Sequence, residues 1–147
     1  MIASMVPLHY LNLYWHKVAP MLQRAIDRQD KCGLDDIYLW LINGDAVLWV
    51  VEDETADHDV VGTVVSRIVQ HPRRRVLFLD LLGGKRGAGG TITSITWKDA
   101  MLDILRRWAK TNECDAIEFI GRAGWAEVFK NDGCTIKHYD FELPVEA

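Results

Sequence analysis

The sequence predicts one mixed domain of the α/β (α+β) class, a mostly antiparallel central sheet flanked by helices, with element order ααβββαβαβ across residues 1–147. Three observations lead there. Apolar residues recur at helical spacing in the first forty positions, three β-branched and aromatic runs follow with short connections, and helix and strand patterns then alternate. The chain is 49% apolar and carries 17 Lys+Arg against 21 Asp+Glu. A chain of this length buries about 70% of its unfolded surface, enough for a core without metals or disulfides. Disordered, collagen-like and coiled-coil classes are excluded, and a net charge of −4 argues against a generally basic nucleic-acid-binding surface while leaving room for a local basic patch.

The first helix is expected from about 8 to 29. Pro7 suits its start, and Leu8, Leu11, Tyr14, Trp15, Val18, Leu22 and Ile26 form its apolar stripe. Pro20 lacks an amide hydrogen and is expected to kink or split it. Asp35 and Asp36 open a second helix, Ile37, Trp40 and Leu41 give its buried face, and Asn43-Gly44 stops it. Both helices are expected before any strand. Val47 to Val51, Val60 to Val69 and Val76 to Leu82 read as a meander, the third in the middle of the sheet because it is apolar on both faces. A helix from about Ile95 to Thr111, a strand Ala116 to Ile120, a short helix Gly124 to Asn131 and an alternating strand Thr135 to Leu143 complete a mixed sheet of about six or seven strands. Trp125 is expected to anchor the last helix in the core, with Gly124 before it permitting close approach.

Cys32, Cys114 and Cys134 are odd in number and far apart, so they read as reduced thiols, and no histidine pairing suggests a metal site. No apolar stretch nears the ~20 residues of a membrane span, and the first four residues lack a charged signal-peptide region. Neither a membrane partner nor export is expected.

The element order matches the GNAT (Gcn5-related N-acetyltransferase) superfamily. Ala116 to Trp125, then Phe129 to Cys134, resembles the strand, helix and turn that close a GNAT domain. Tyr14-Trp15 with Val18-Ala19-Pro20, Leu48 to Val51, and Gly121-Arg122-Ala123-Gly124-Trp125 are similar to small GNAT-like proteins encoded by phages and prophages. The superfamily resemblance implies an acetyl-CoA pyrophosphate site on Arg86, Gly87, Gly89 and Gly90 at the start of the helix after the central strand. Here an insertion of about seven residues separates these glycines from that helix, so the segment reads either as a displaced phosphate cradle or as a plain glycine loop. The position implied for a general-acid tyrosine, four residues before Gly133, holds Phe129, which has no proton to give. Asp80 and Glu118 are the candidates for a general base, or equally edge and surface residues.

Arg73 to Arg75, Lys85-Arg86 and Arg106-Arg107 could line one end of the molecule and meet phosphate, from CoA or nucleic acid, or be solvated charges. The six tryptophans read mostly as core. Two functions follow. One is a catalytically degenerate phage-type protein without a cofactor, acting by protein binding to other virion proteins or to itself, in the host cytoplasm or the virion. The other is an acetyl-CoA-dependent N-acetyltransferase modifying a host or phage amine.

Overall fold

The computed structural model describes residues 1–85 and 96–146. Its first strand is one the sequence did not announce: β1 (Ile2–Met5) precedes both helices and pairs antiparallel with β2 (Val47–Asp53) from Ile2↔Glu52 to Met5↔Trp49. Four half-exposed residues carry no periodicity of their own. They become a strand because β2 offers an edge, and the Val6 N–H continues the contact by donating to the Leu48 carbonyl at 2.9 Å.

The helices α1 (Leu11–Ile26) and α2 (Leu34–Ile42) follow. A short 3-10 turn at Leu8–Tyr10 occupies the start of the predicted first helix. Pro20 does not split α1, which runs through it. The ring is exposed, and the carbonyl that loses its partner belongs to His16, an exposed residue that water can satisfy. Asp36 closes the start of α2 by accepting from the Gly33 N–H at 2.8 Å.

The meander of β2, β3 (Asp59–Gln70) and β4 (Arg75–Gly84) is as predicted, and the parallel strand β5 (Ala116–Phe119) pairs with β4 after the crossover helix α3 (Lys98–Thr111). Among the described residues the sheet has five strands in the order β1-β2-β3-β4-β5, against the six or seven expected, and β3 rather than β4 is central. β4 still lies inside the sheet. A register shift after Leu79 sends Leu81 to the α1–α2 layer with Leu22, Ile37, Leu48, Val50 and Val65, while Leu77 and Leu79 face the α3 layer with Trp49, Val64, Met101 and Leu105. Both faces are covered, which is why these strands read as continuous apolar runs.

The short helix α4 (Gly124–Val128) ends in a 3-10 turn at Lys130–Asp132. The predicted last strand, Thr135 to Leu143, is corrected: it joins no ladder, and every residue from 133 to 146 is exposed. Alternation supplies a face, but a strand also needs an edge to pair with. Lys98 Nζ holds Asp132 at 2.6 Å and Arg106 donates to the Asp132 carbonyl at 2.9 Å, so the segment leaves the body from over α3.

Candidate functional site

An extra residue in β4 shapes the site. Val65 pairs with Leu81 and Ser66 with Leu79, leaving Asp80 as a bulge between them. A bulge bends and twists its strand. The β4–β5 ladder starts at Val76↔Ala116 and stops at Leu79↔Phe119, the last pair before that bulge. Beyond it β4 continues to Gly84 while the other chain turns into α4, so the two parallel strands diverge. Among the described residues, no strand pairs with the β5-facing edge of β4 past Leu79.

A cleft of about 290 Å³ opens at this divergence, lined by Met21 and Arg24 of α1, by Arg28 just past its end, by Gly83 and Gly84 of β4, and by Trp97, Arg122 and Trp125. The glycines let the walls close in. A Cβ on Gly83 would sit 2.7 Å from the Met21 carbonyl oxygen, and Gly62 and Gly84, paired directly across β3 and β4, lie under the Trp97 indole with Cβ positions 2.5 and 2.6 Å from its ring. Trp97 is 1% exposed, and its Nε1–H donates to the Lys85 carbonyl at 2.9 Å. That bond ties the end of β4 to the residue just ahead of α3. The Trp97 ring meets Trp125 edge-on at 6.5 Å, Trp125 stacks on Phe129 at 5.9 Å, and Phe129 meets Phe119 at 5.5 Å. Trp125 is half-buried, and the glycine that admits it is Gly121, whose Cβ would lie 2.8 Å from the indole.

The floor is therefore aromatic and the rim cationic. Arg24 lies in the last turn of α1, Arg28 in the turn just past its end, and Arg122 follows β5. Guanidinium forks suit phosphate oxygens.

Of the residues singled out from sequence, Arg86, Gly87, Gly89 and Gly90 lie outside the described residues. Lys85, at their threshold, forms an ion pair with Asp59. Asp80 is held by Arg67 through both oxygens, at 2.8 and 2.7 Å, with Arg67 also over the Trp40 ring at 5.0 Å. Glu118 lies 3.7 Å from Arg74. Neither carboxylate lines the cleft. Phe129 is 8% exposed inside the aromatic stack.

Among the described residues, the basic groups singled out from sequence do not meet at one end. Arg73 to Arg75 occupy the β3–β4 turn, at the far end of β4 from Gly84, and on α3 Arg106 is bonded to the Asp132 carbonyl while Arg107 pairs with Asp103 at 3.1 Å. Sequence reasoning passed over Arg24 and Arg28. Their four-residue spacing beside Met21 and Ala25 was the available signal. It also passed over a polar cluster at the end of β2, where the Tyr14 hydroxyl donates to Glu52 at 2.5 Å and His58 Nδ1 lies 3.5 Å from the same carboxylate. The hydrogen bond to Glu52, then burial, pushes the Tyr14 hydroxyl up to about 12. Lys98, at the first turn of α3, is raised above the usual lysine range by its hydrogen bond to Asp132. No group of His, Cys, Asp and Glu among the described residues could hold a metal ion, and no described helix is long and apolar enough to cross a membrane.

Solved structures of similar shape include acetyltransferases. A probable acetyltransferase superposes with a TM-score of 0.71 at 12% identity, over 100% of this chain and 99% of that one. A ribosomal-protein-alanine N-acetyltransferase from Brucella melitensis gives 0.65 at 14% identity, over 98% and 99%. A predicted acetyltransferase from Clostridium acetobutylicum, solved with acetyl-CoA, gives 0.65 at 16% identity, over 97% and 95%. The fold is the GNAT fold. No protein-family model matches the chain, and no curated protein sequence matches it significantly. In the GNAT fold of this chain, the cleft thus lies where the helix after β4 and the helix after β5 approach each other across the open end of the sheet.

Proposed function

We propose that the chain binds the phosphate end of a coenzyme A thioester at this cleft and acts as an acetyl-CoA-dependent N-acetyltransferase. One observation carries the reading: three arginines, Arg24, Arg28 and Arg122, rim a cleft that opens where the parallel strands part. Residues and ligand suit each other there. Guanidinium groups from two separate elements would grip phosphate oxygens from different sides, and the open edge of β4 past Leu79 offers backbone donors and acceptors to an extended polar chain. Trp97 and Trp125 would exclude water from the inner wall. When bound, the thioester supplies the activated acyl group, while this chain binds it and orients it towards an amine.

A second reading keeps the fold and removes the chemistry: a catalytically degenerate protein, in a phage virion or host cytoplasm, acting by binding other proteins. Phe129 favours it, because the position implied for a proton donor is a buried phenyl ring. Asp80, engaged through both oxygens, also favours it.

Thermal-shift titration with acetyl-CoA and CoA tests the shared step. A ligand at a hundred times its Kd stabilises the fold by about 2.7 kcal/mol. Under the transferase reading both ligands raise Tm, the Arg24→Ala, Arg122→Ala double variant loses the shift, and thiol is released when an amine is added. Stabilisation without thiol release across an amine panel assigns the degenerate reading, and no stabilisation at millimolar ligand rejects the cleft as a CoA site.

A further inference from the structure

Past Leu79, β4 has two registers to choose from, and one of them has no bulge. Had the regular ladder continued from Ser66↔Leu79, Asp80 would face Val65, Leu81 would face Val64, Leu82 would face Thr63 and Gly83 would face Gly62. The observed partners of these four β3 residues are Leu81, Leu82, Gly83 and Gly84. On the α3 side the two registers are equivalent. Leucine would replace leucine opposite Val64 and glycine would replace glycine under Trp97, because Leu81-Leu82 and Gly83-Gly84 are pairs of identical residues.

The choice is made on the α1–α2 side. The regular register would put the Asp80 carboxylate in the place of Leu81, which is 5% exposed in the cluster with Leu22, Ile37 and Val65. An unpaired charge in such a setting is costly. That register would also put Leu82 in the place of Gly83, where a Cβ alone would lie 2.7 Å from the Met21 carbonyl oxygen. The bulge avoids both. It brings Asp80 instead to Arg67, which donates to both carboxylate oxygens at 2.8 and 2.7 Å and lies 5.0 Å from the centre of the Trp40 ring of α2. The Asp80 side chain is 9% exposed, so without Arg67 the bulged register too would hold an unpaired carboxylate away from water.

We propose that Arg67 and Asp80 are positioning residues for the ligand of the cleft, holding β4 in the bulged register so that Gly83 lies against α1 and Gly84 under Trp97. Neither side chain lines the cleft. They act through β4. The register that the ion pair selects lets α1, with Met21 and Arg24, close on Gly83, whereas a leucine there would push that wall outward. The effect on binding rests on the coenzyme A reading above; the choice of register stands apart from it.

Amide exchange and acetyl-CoA calorimetry on the full chain test both parts. Arg67→Met should speed exchange at 81–84 while leaving 76–79 as in the parent, and should weaken acetyl-CoA about tenfold in protein that circular dichroism shows to be folded. Arg67→Lys keeps the charge without the fork and should fall between the parent and Arg67→Met on both measures. A variant lacking Asp80 gives the sharper contrast. Its residues 81–84 keep their present partners in a ladder without a bulge, so exchange there should be slow and yet acetyl-CoA binding lost, and adding Arg67→Met to it should change neither. Exchange at 81–84 that is unchanged in Arg67→Met overturns the proposal, as does acceleration spread evenly over all strands with affinity intact, the mark of a plain stabilising pair. Parental affinity in the variant lacking Asp80 overturns it too. If the parent itself does not bind acetyl-CoA, the coenzyme A reading fails, and the exchange pattern alone decides the register.

Discussion

Trp97 shows how one side chain can account for several sequence features at once. Glycine weakens a strand interior, yet Gly62 and Gly84 sit opposite each other in β3 and β4 because the indole lies on that pair, closer than any Cβ could allow. Trp97→Ala should therefore cost about 3–5 kcal/mol in chemical denaturation, as other large buried aromatics do. Trp125→Ala, at a half-buried site, should cost about 2 kcal/mol. Gly84→Ala forces the indole to move and should cost about 1–3 kcal/mol, and denaturation at or above parental stability would show that the ring has room. Tyr14 makes a separate case. Its folded value, about 12, lies above the ordinary 10, so the folded chain holds this proton more tightly than the unfolded chain. The stability it contributes is complete below pH 10 and is lost as pH rises through 12. Tyrosinate absorbance should show one of the four tyrosines ionising late in the parent and near pH 10 in Glu52→Gln.

At the scale of elements, α1 tolerates a proline that sequence rules place as a breaker. The helix is held by Val18, Met21, Leu22 and Ile26 against the sheet, and only an exposed carbonyl loses its partner. Pro20→Ala should restore that bond and raise stability by about 1–3 kcal/mol, read as a higher Tm; an unchanged or lower Tm would mean that Pro20 stabilises α1 by restricting the unfolded chain. The bulge at Asp80 acts on a larger unit. By re-aiming β4 immediately after its last pair with β5, it opens the sheet where the arginines converge, and the Arg67–Asp80 pair clamps it in place. Asp80 thus contributes to the cleft through the course of a strand rather than through its own carboxylate.

Across the whole molecule, charge is distributed against the average. A chain of net charge −4 gathers Arg24, Arg28 and Arg122 around one opening. Ligand attraction by such a rim is electrostatic and close to solvent, so it must weaken with salt. Acetyl-CoA affinity measured by calorimetry should fall several-fold between about 0.05 and 0.5 M salt in the parent, and the slope should flatten in the Arg24→Ala, Arg122→Ala variant. Affinity indifferent to salt would point to an apolar mode of binding and away from the rim.

The meander, both long helices and the buried character of β4 were legible because periodicity and β-branched runs are local properties that survive into the fold. The acetyltransferase-like order was legible for the same reason. β1 was not, since four residues become a strand only when β2 lends them an edge, and 135–143 is the converse, a strand pattern that among the described residues pairs with no edge. The cleft was hidden too. Arg122 is separated from Arg24 and Arg28 by most of the chain, and only the crossing of α1 over the end of β4 and the parting of β5 bring the three to one opening. Sequence determined what each segment would bury, because burial follows from side-chain chemistry and period. Tertiary structure decided which edges found partners and which charges met, because pairing and convergence depend on distances between segments that no local pattern encodes.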